Sequence, residues 1–336
     1  MKKVLSIFLA AAILLGCLAG CGAPQTPDTD RLQIVATIFP EYDWVKNILG
    51  DNPANAELTM LLDSGVDLHS YQPTAADILK ISTCDLFIYV GGESDEWVED
   101  ALQEATNKDM AVVNLLEVLG DAAKVEEIKE GMQAHDHDED HDEDHDEDHD
   151  EDHDHEEPEL DEHVWLSLKN AAILCAAISD RLCAADEAHR DVYTANAAAY
   201  VEKLNALDAE YKAAVDAAAY RTLLFGDRFP FRYLTDDYGL DYFAAFAGCS
   251  AESEASFETI SFLSRKLDEL SLPAVMTIEG TDHRIAETVV QNTQTKDQRI
   301  LSLDSMQSTT ARDVQNGADY LAIMQENLSV LAEALN

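Results

Sequence analysis

The sequence predicts an α/β protein of two lobes, each a parallel sheet flanked by helices, joined by a long rigid spine helix. Three observations carry this. Short apolar, β-branched runs alternate with helical stretches in both halves of the chain, the pattern of a parallel sheet. The stretch 166–219 is helical throughout and rich in alanine. The length of 336 residues suggests two domains at roughly 150 residues each, and the 46% hydrophobic content suffices to fill their cores.

The elements follow in order. Residues 31–39 (RLQIVATIF) read as a strand bounded by Pro40, and 41–49 as a helix. A strand over 57–62 leads into the loop 63–70, then come a helix over 75–81 and a buried strand, LFIYV, at 86–90. A helix over 97–108 and a strand over 110–114 complete the first lobe, assigned to 31–165. The 166–219 region divides into a helix over 168–184 and a second helix, N-capped by Asp186, running to about Ala219. At ~34 residues that second helix spans ~50 Å, which makes it a spine between lobes and limits their closure. The second lobe, 220–336, places strands at 222–225, 242–246, 274–278 and 299–303. Its helices fall around 231–238, over 257–270, from His283 onward and over 317–335.

The N-terminus is an address. Lys2 and Lys3 precede an apolar run, Val4 to Leu15, too short for a comfortable membrane span. Leu18-Ala19-Gly20-Cys21 resembles a bacterial lipoprotein box, so 1–20 is read as a signal peptide, Cys21 as the lipid site and 21–30 as a polar tether. The remaining cysteines are Cys84, Cys175, Cys183 and Cys249. Cys175 and Cys183 on one helix lie ~12 Å apart, too far for a disulfide. No CxxC motif occurs, and all four are read as buried thiols, with Cys84–Cys249 a remote alternative.

The charge is strongly acidic: 22 basic against 67 acidic residues, net −45. Such a charge disfavours nucleic acid and anionic membrane surfaces as partners and attracts cations. Residues 135–159 contribute 17 of the acidic groups and no Lys or Arg, so the rest of the chain is acidic too. Within this run, 137–152 are four copies of His-Asp-Glu-Asp. Its seven histidines, His135, His137, His141, His145, His149, His153 and His155, are read as a disordered, low-affinity zinc collector rather than part of a core.

Ligands of open parallel sheets bind beyond the carboxyl ends of strands. The metal-capable residues so placed are His69 after 57–62, Asp227 after 222–225, Glu279 with Asp282 and His283 after 274–278, and Asp304 after 299–303. His163 sits where the acidic run meets the helical region. Imidazole suits zinc, and carboxylate oxygens bring manganese into range.

Several of these residues sit in recognisable motifs. Gly65-Val66-Asp67-Leu68-His69-Ser70-Tyr71-Gln72-Pro73 resembles the Gly-x-Asp-Pro-His-x-Tyr-Glu-Pro motif of the zinc and manganese solute-binding lipoproteins of ABC metal importers (cluster A-I). Asp161-Glu162-His163-Val164-Trp165-Leu166 is similar to their Asp-Pro-His-Val-Trp-Leu, and 86–97 and Tyr238-Gly239-Leu240 have counterparts in the same order. The resemblance implies His69, His163 and Asp304 as ligands. It places Arg228 at the third ligand position, and a guanidinium cannot ligate. Asp227 is the preferred substitute, with Glu279 and His283 as alternatives and Arg228 as a supporting residue.

The expectation is therefore a monomeric, extracytoplasmic, lipid-anchored protein. It captures Zn²⁺ between the lobes and delivers it to a membrane permease. Binding should weaken below about pH 6 as the histidines protonate. A manganese-specific member of the family and a metal-storage or adhesin lipoprotein are the alternatives. Neither HExxH nor GxSxG occurs, which argues against the rival reading of a zinc hydrolase.

Overall fold

The computed structural model describes residues 31–133, 159–250, 254–280 and 282–336. The signal segment, Cys21, the tether and the seven histidines of the acidic run fall outside the described residues. Two four-stranded, wholly parallel sheets organise the chain. The first has order β2-β1-β3-β4, with β1 Gln33–Ala36, β2 Glu57–Met60, β3 Leu86–Tyr89 and β4 Ala111–Asn114. The Leu-Phe-Ile of β3 is fully buried, because helices cover a parallel sheet on both faces. These helices are α1 (Phe39–Leu49), α2 (Ala75–Thr83), α3 (Trp97–Gln103) and α4 (Leu115–Leu119). Thr74 starts α2 through a capping box: its Oγ1 accepts from the Asp77 N–H, and Asp77 Oδ2 accepts from the Thr74 N–H.

The helical middle begins with α5 (Leu168–Ala185), capped by Ser167 Oγ on the Asn170 N–H. The expected second helix starts later than Asp186. That residue instead caps a 3-10 turn, Glu187–His189, and its Oδ2 holds His189 Nδ1 at 2.6 Å and the Tyr193 hydroxyl at 2.7 Å. The spine proper is α6 (Arg190–Ala217), 28 residues long. It buries Tyr193, Ala197, Tyr200, Leu204, Leu207 and Tyr211, a stripe at helical spacing.

The second sheet has order β6-β5-β7-β8, with β5 Thr222–Phe229, β6 Asp241–Ala247, β7 Ala274–Ile278 and β8 Arg299–Leu303. Helices α7 (Arg232–Tyr238), α8 (Phe257–Leu270), α9 (Arg284–Gln291), α10 (Ala311–Gln315) and α11 (Tyr320–Ala334) surround it. Strand β5 runs four residues beyond its expected end. Its register against β6 shifts between Phe225 and Arg228, a bulge that carries Gly226 and Asp227 onward without ending the strand. Asp227 therefore lies inside β5, not after it.

Residues 32–336 hold together as one packed unit. The spine ties both halves: Asn196 Nδ2 donates to the Ile48 carbonyl of α1 at 3.0 Å, and the Tyr211 hydroxyl to the Met324 carbonyl of α11 at 2.6 Å. A second tie runs through Trp165. Its indole N–H donates to the Ser305 carbonyl at 2.8 Å, and its own carbonyl accepts from the Tyr320 hydroxyl at 2.6 Å. Trp44 and Trp165 are buried, and Trp97 packs partly buried against the same core. Among the described residues no helix is long and apolar enough to cross a membrane.

Candidate metal centre

In each sheet the chain reverses its direction of growth between the two central strands, which opens a crevice at their carboxyl ends. His69 reaches this region from the 3-10 turn Leu68–Ser70 that follows β2; Asp67 Oδ1 caps the turn by accepting the His69 N–H at 3.1 Å. His163 arrives from the segment that leads through the turn Val164–Leu166 into α5, and it is wholly buried. Their Nε2 atoms face each other at 3.2 Å.

The outer nitrogens decide what this contact means. His163 Nδ1 lies 3.1 Å from Asp161 Oδ1. A carboxylate accepts only, so Nδ1 carries the hydrogen and Nε2 keeps a lone pair. His69 Nδ1 lies 2.8 Å from Ser94 Oγ and 3.3 Å from Glu162 Oε2. Glu162 Oε2 is buried without a hydrogen bond of its own, and its negative charge beside His69 Nδ1 favours the proton on that nitrogen. Two lone pairs then point at one spot. On a tetrahedral zinc with Zn–N of ~2.05 Å, two nitrogens sit ~3.3 Å apart, close to the observed separation. A carboxylate behind each ligating imidazole is the usual outer support of a metal site.

Electrostatics agree. Burial disfavours charge on His163, but Asp161 and Glu162 outweigh it and raise its pKa above the ordinary imidazole value. Burial likewise opposes the Glu162 carboxylate, yet His69 and Ser94 hold its pKa below the usual range. Gly92 is required beside it: its φ is +82°, and a Cβ there would lie 2.5 Å from Glu162 Oε1.

The second half contributes differently. Asp227 spends Oδ1 on the Arg228 N–H at 2.9 Å and Oδ2 on the Ile278 N–H at 3.3 Å. Burial raises its pKa. Glu279 is taken up by the loop after β8, accepting from the Ser305 N–H and hydroxyl and from the Gln307 N–H. Asp304 accepts the Met306 N–H at 2.7 Å, and burial, then Glu279, pushes its carboxyl pKa up to about 6. His283 is the N-cap residue of α9, and its Nδ1 is buried without a partner. Arg228 turns its guanidinium onto Asp67 Oδ2 at 2.7 Å and the Ser250 carbonyl at 3.4 Å. It thus braces the His69 turn against the second half. Burial opposes charge on Asp67, but Arg228 prevails and holds its pKa below the usual carboxylate range.

Among the described residues, one group of three metal-capable side chains closes to within 4.8 Å: His69, His163 and Cys249. Asp227, Glu279, His283 and Asp304 stand outside it. Sequence reasoning missed Cys249, which follows β6 as His69 follows β2; only its place beyond a strand's carboxyl end pointed to it. Cys84, Cys175, Cys183 and Cys249 are all free thiols, so the Cys84–Cys249 disulfide does not form.

Two parallel sheets on a helical spine, with paired imidazoles where the two halves meet, define a solute-binding protein. The chain belongs to the ZnuA family, zinc-uptake complex component A, periplasmic, which it matches over residues 34–334. It is 31% identical over 333 residues to the zinc-binding lipoprotein AdcA of Streptococcus pneumoniae, covering 99% of this chain and 61% of AdcA. The chain thus spans about three-fifths of that relative. It is 29% identical, over the full length of both chains, to the manganese ABC transporter substrate-binding lipoprotein PsaA of Streptococcus pneumoniae. The Zn(II)-bound ZnuA-like domain of S. pneumoniae AdcA superposes with a TM-score of 0.67 at 26% identity, covering 91% of this chain and 99% of that one.

Proposed function

We propose that this chain is the extracytoplasmic, lipid-anchored zinc receptor of an ABC importer: it captures Zn²⁺ through His69 and His163 and passes it to a membrane permease. The observation that carries the reading is the pair of facing Nε2 atoms, each imidazole with a carboxylate beside its Nδ1. Imidazole ligands suit zinc, and the names of AdcA and of its Zn(II)-bound domain support the choice of metal. Cys21 is the attachment site for lipid, consistent with relatives named as lipoproteins. The role is binding and delivery, not catalysis. Asp304 is our candidate for a carboxylate ligand: it directly follows β8, and a cation would relieve the cost of burying its charge. The histidines of the acidic run serve as a weak collector outside this site, and the protein acts as a monomer.

Zinc titration of the whole chain by calorimetry tests this. One tight site above the weak background of the acidic run, abolished by His69→Ala or His163→Ala, is the expected result. Tight binding that survives both substitutions, or a site that takes manganese in preference to zinc, contradicts it. Deleting the partner permease should abolish zinc uptake that depends on this protein.

A further inference from the structure

We propose that Cys249 is a direct ligand of the captured ion, supplying a thiolate beside His69 and His163 and biasing the site toward zinc over manganese. The inference rests on the zinc-binding reading above. Its own ground is the convergence of three metal-capable side chains from three separate segments, one ligand atom of each within 4.8 Å of the others, where the two imidazole Nε2 atoms face each other at 3.2 Å. Neither imidazole comes from the second half, and Cys249 is the second-half donor that reaches them.

The neighbourhood is built for this approach. Gly248 lies against His163: a Cβ there would come within 3.0 Å of His163 Cε1 and 2.9 Å of the Phe229 carbonyl. Only glycine lets the chain leave β6 so close to the imidazole and set the next side chain at its edge. The Cys249 N–H donates to Glu126 Oε1 at 3.1 Å, so a residue of the first half anchors the turn. Arg228, at the position where the family resemblance puts a third ligand, is instead drawn off to Asp67. The coordination sphere is one protein ligand short there, and the Cys249 sulfur fills it. Zn–S bonds of ~2.3 Å require a closure of only about an ångström from the present spacing. On binding, the Sγ–H bond breaks, the Zn–S bond forms and the proton passes to solvent. A thiolate favours zinc strongly over manganese, which prefers oxygen ligands.

Cobalt(II) provides the test, because thiolate ligation adds a ligand-to-metal charge-transfer absorption in the near ultraviolet. The acidic run contains no cysteine, so the whole chain can be used. The expected result is a thiolate band that titrates with the His69/His163-dependent site and disappears in Cys249→Ser, while the visible cobalt bands remain. Cys249→Ser should lower zinc affinity by at least ~10-fold, the lower bound for losing even an outer partner, and leave manganese affinity within about threefold. Cobalt bound at the histidine site without the band overturns the assignment of Cys249 and leaves the zinc reading standing. Failure of any metal to bind through His69 and His163 overturns both. A second measurement needs no variant: zinc should slow alkylation of Cys249, read by peptide mass spectrometry, and equal labelling with and without zinc rejects the thiolate.

Discussion

The two halves of the molecule carry the same kinds of residues around the crevice and use them in opposite ways. In the first half, Asp161 and Glu162 each set a carboxylate beside an imidazole Nδ1, which favours a bare Nε2. In the second half, Asp227 and Glu279 turn onto the backbone of neighbouring segments and accept N–H groups from Arg228, Ile278, Ser305 and Gln307. A carboxylate beyond a parallel strand is therefore not a ligand by position. What decides is whether its lone pairs are already engaged. By that criterion the first half prepares the metal site, and the second half spends Asp227 and Glu279 on holding its backbone in place and offers a thiol.

This contrast can be broken at several points, beginning with the largest expected effect. His163→Ala removes a buried donor and should lower zinc affinity by about 100-fold or more, since even outer-shell losses reach that range; a calorimetric titration reads it. Glu162→Gln keeps the shape but weakens the hold on His69 Nδ1, and a loss of roughly 10-fold is expected in the same titration. Gly248→Val should lower stability by about 1–3 kcal/mol in urea melts, because its Cβ would press on the Phe229 carbonyl and the His163 ring. Asp227→Ala should behave in the opposite sense to Glu162→Gln: unfolding made easier by roughly 1–2 kcal/mol through two lost acceptors, with zinc affinity little changed. A large affinity loss at Asp227 would erase the distinction between the halves.

The smallest effect is a pH signature remote from the ion. Glu41 is fully buried; its Oε2 accepts from the Thr37 N–H at 2.8 Å, while Oε1 has no partner. Burial, then the nearby Asp95, raises its pKa to about 8. A carboxyl raised in the folded state contributes stability that is full below its unfolded pKa and is lost as pH rises through about 8. Glu41→Gln should thus lie close to the native chain at about pH 5 and gain on it steadily up to about pH 9 in urea melts. Equal pH profiles would show that Glu41 ionises freely.

Much of the fold was legible in the sequence because parallel strands buried on both faces read as short apolar runs, as LFIY of β3 does. The misreadings have local causes. Gly226-Asp227-Arg228 looked like a strand's end because they interrupt the apolar pattern, but the bulge keeps them in β5. Helices α4 and α10, five residues each, are too short to show a period. Asp186 looked like the cap of a single long helix, and its bonds to His189 and Tyr193 instead fold a 3-10 turn ahead of Arg190. At the site, His69 and His163 were visible through their motifs and their positions beyond ordered elements. Cys249 was not, because no sequence spacing links it to either histidine; the three meet only when β6 delivers its end to the first half.

The central claim is that one ion sits between the two halves on His69 and His163. Anomalous scattering at the zinc absorption edge from crystals of the zinc-loaded protein tests it most directly. The account predicts a single strong peak within bonding distance of His69 Nε2 and His163 Nε2, with Cys249 Sγ beside it. A peak elsewhere, or none at these two nitrogens, would contradict it.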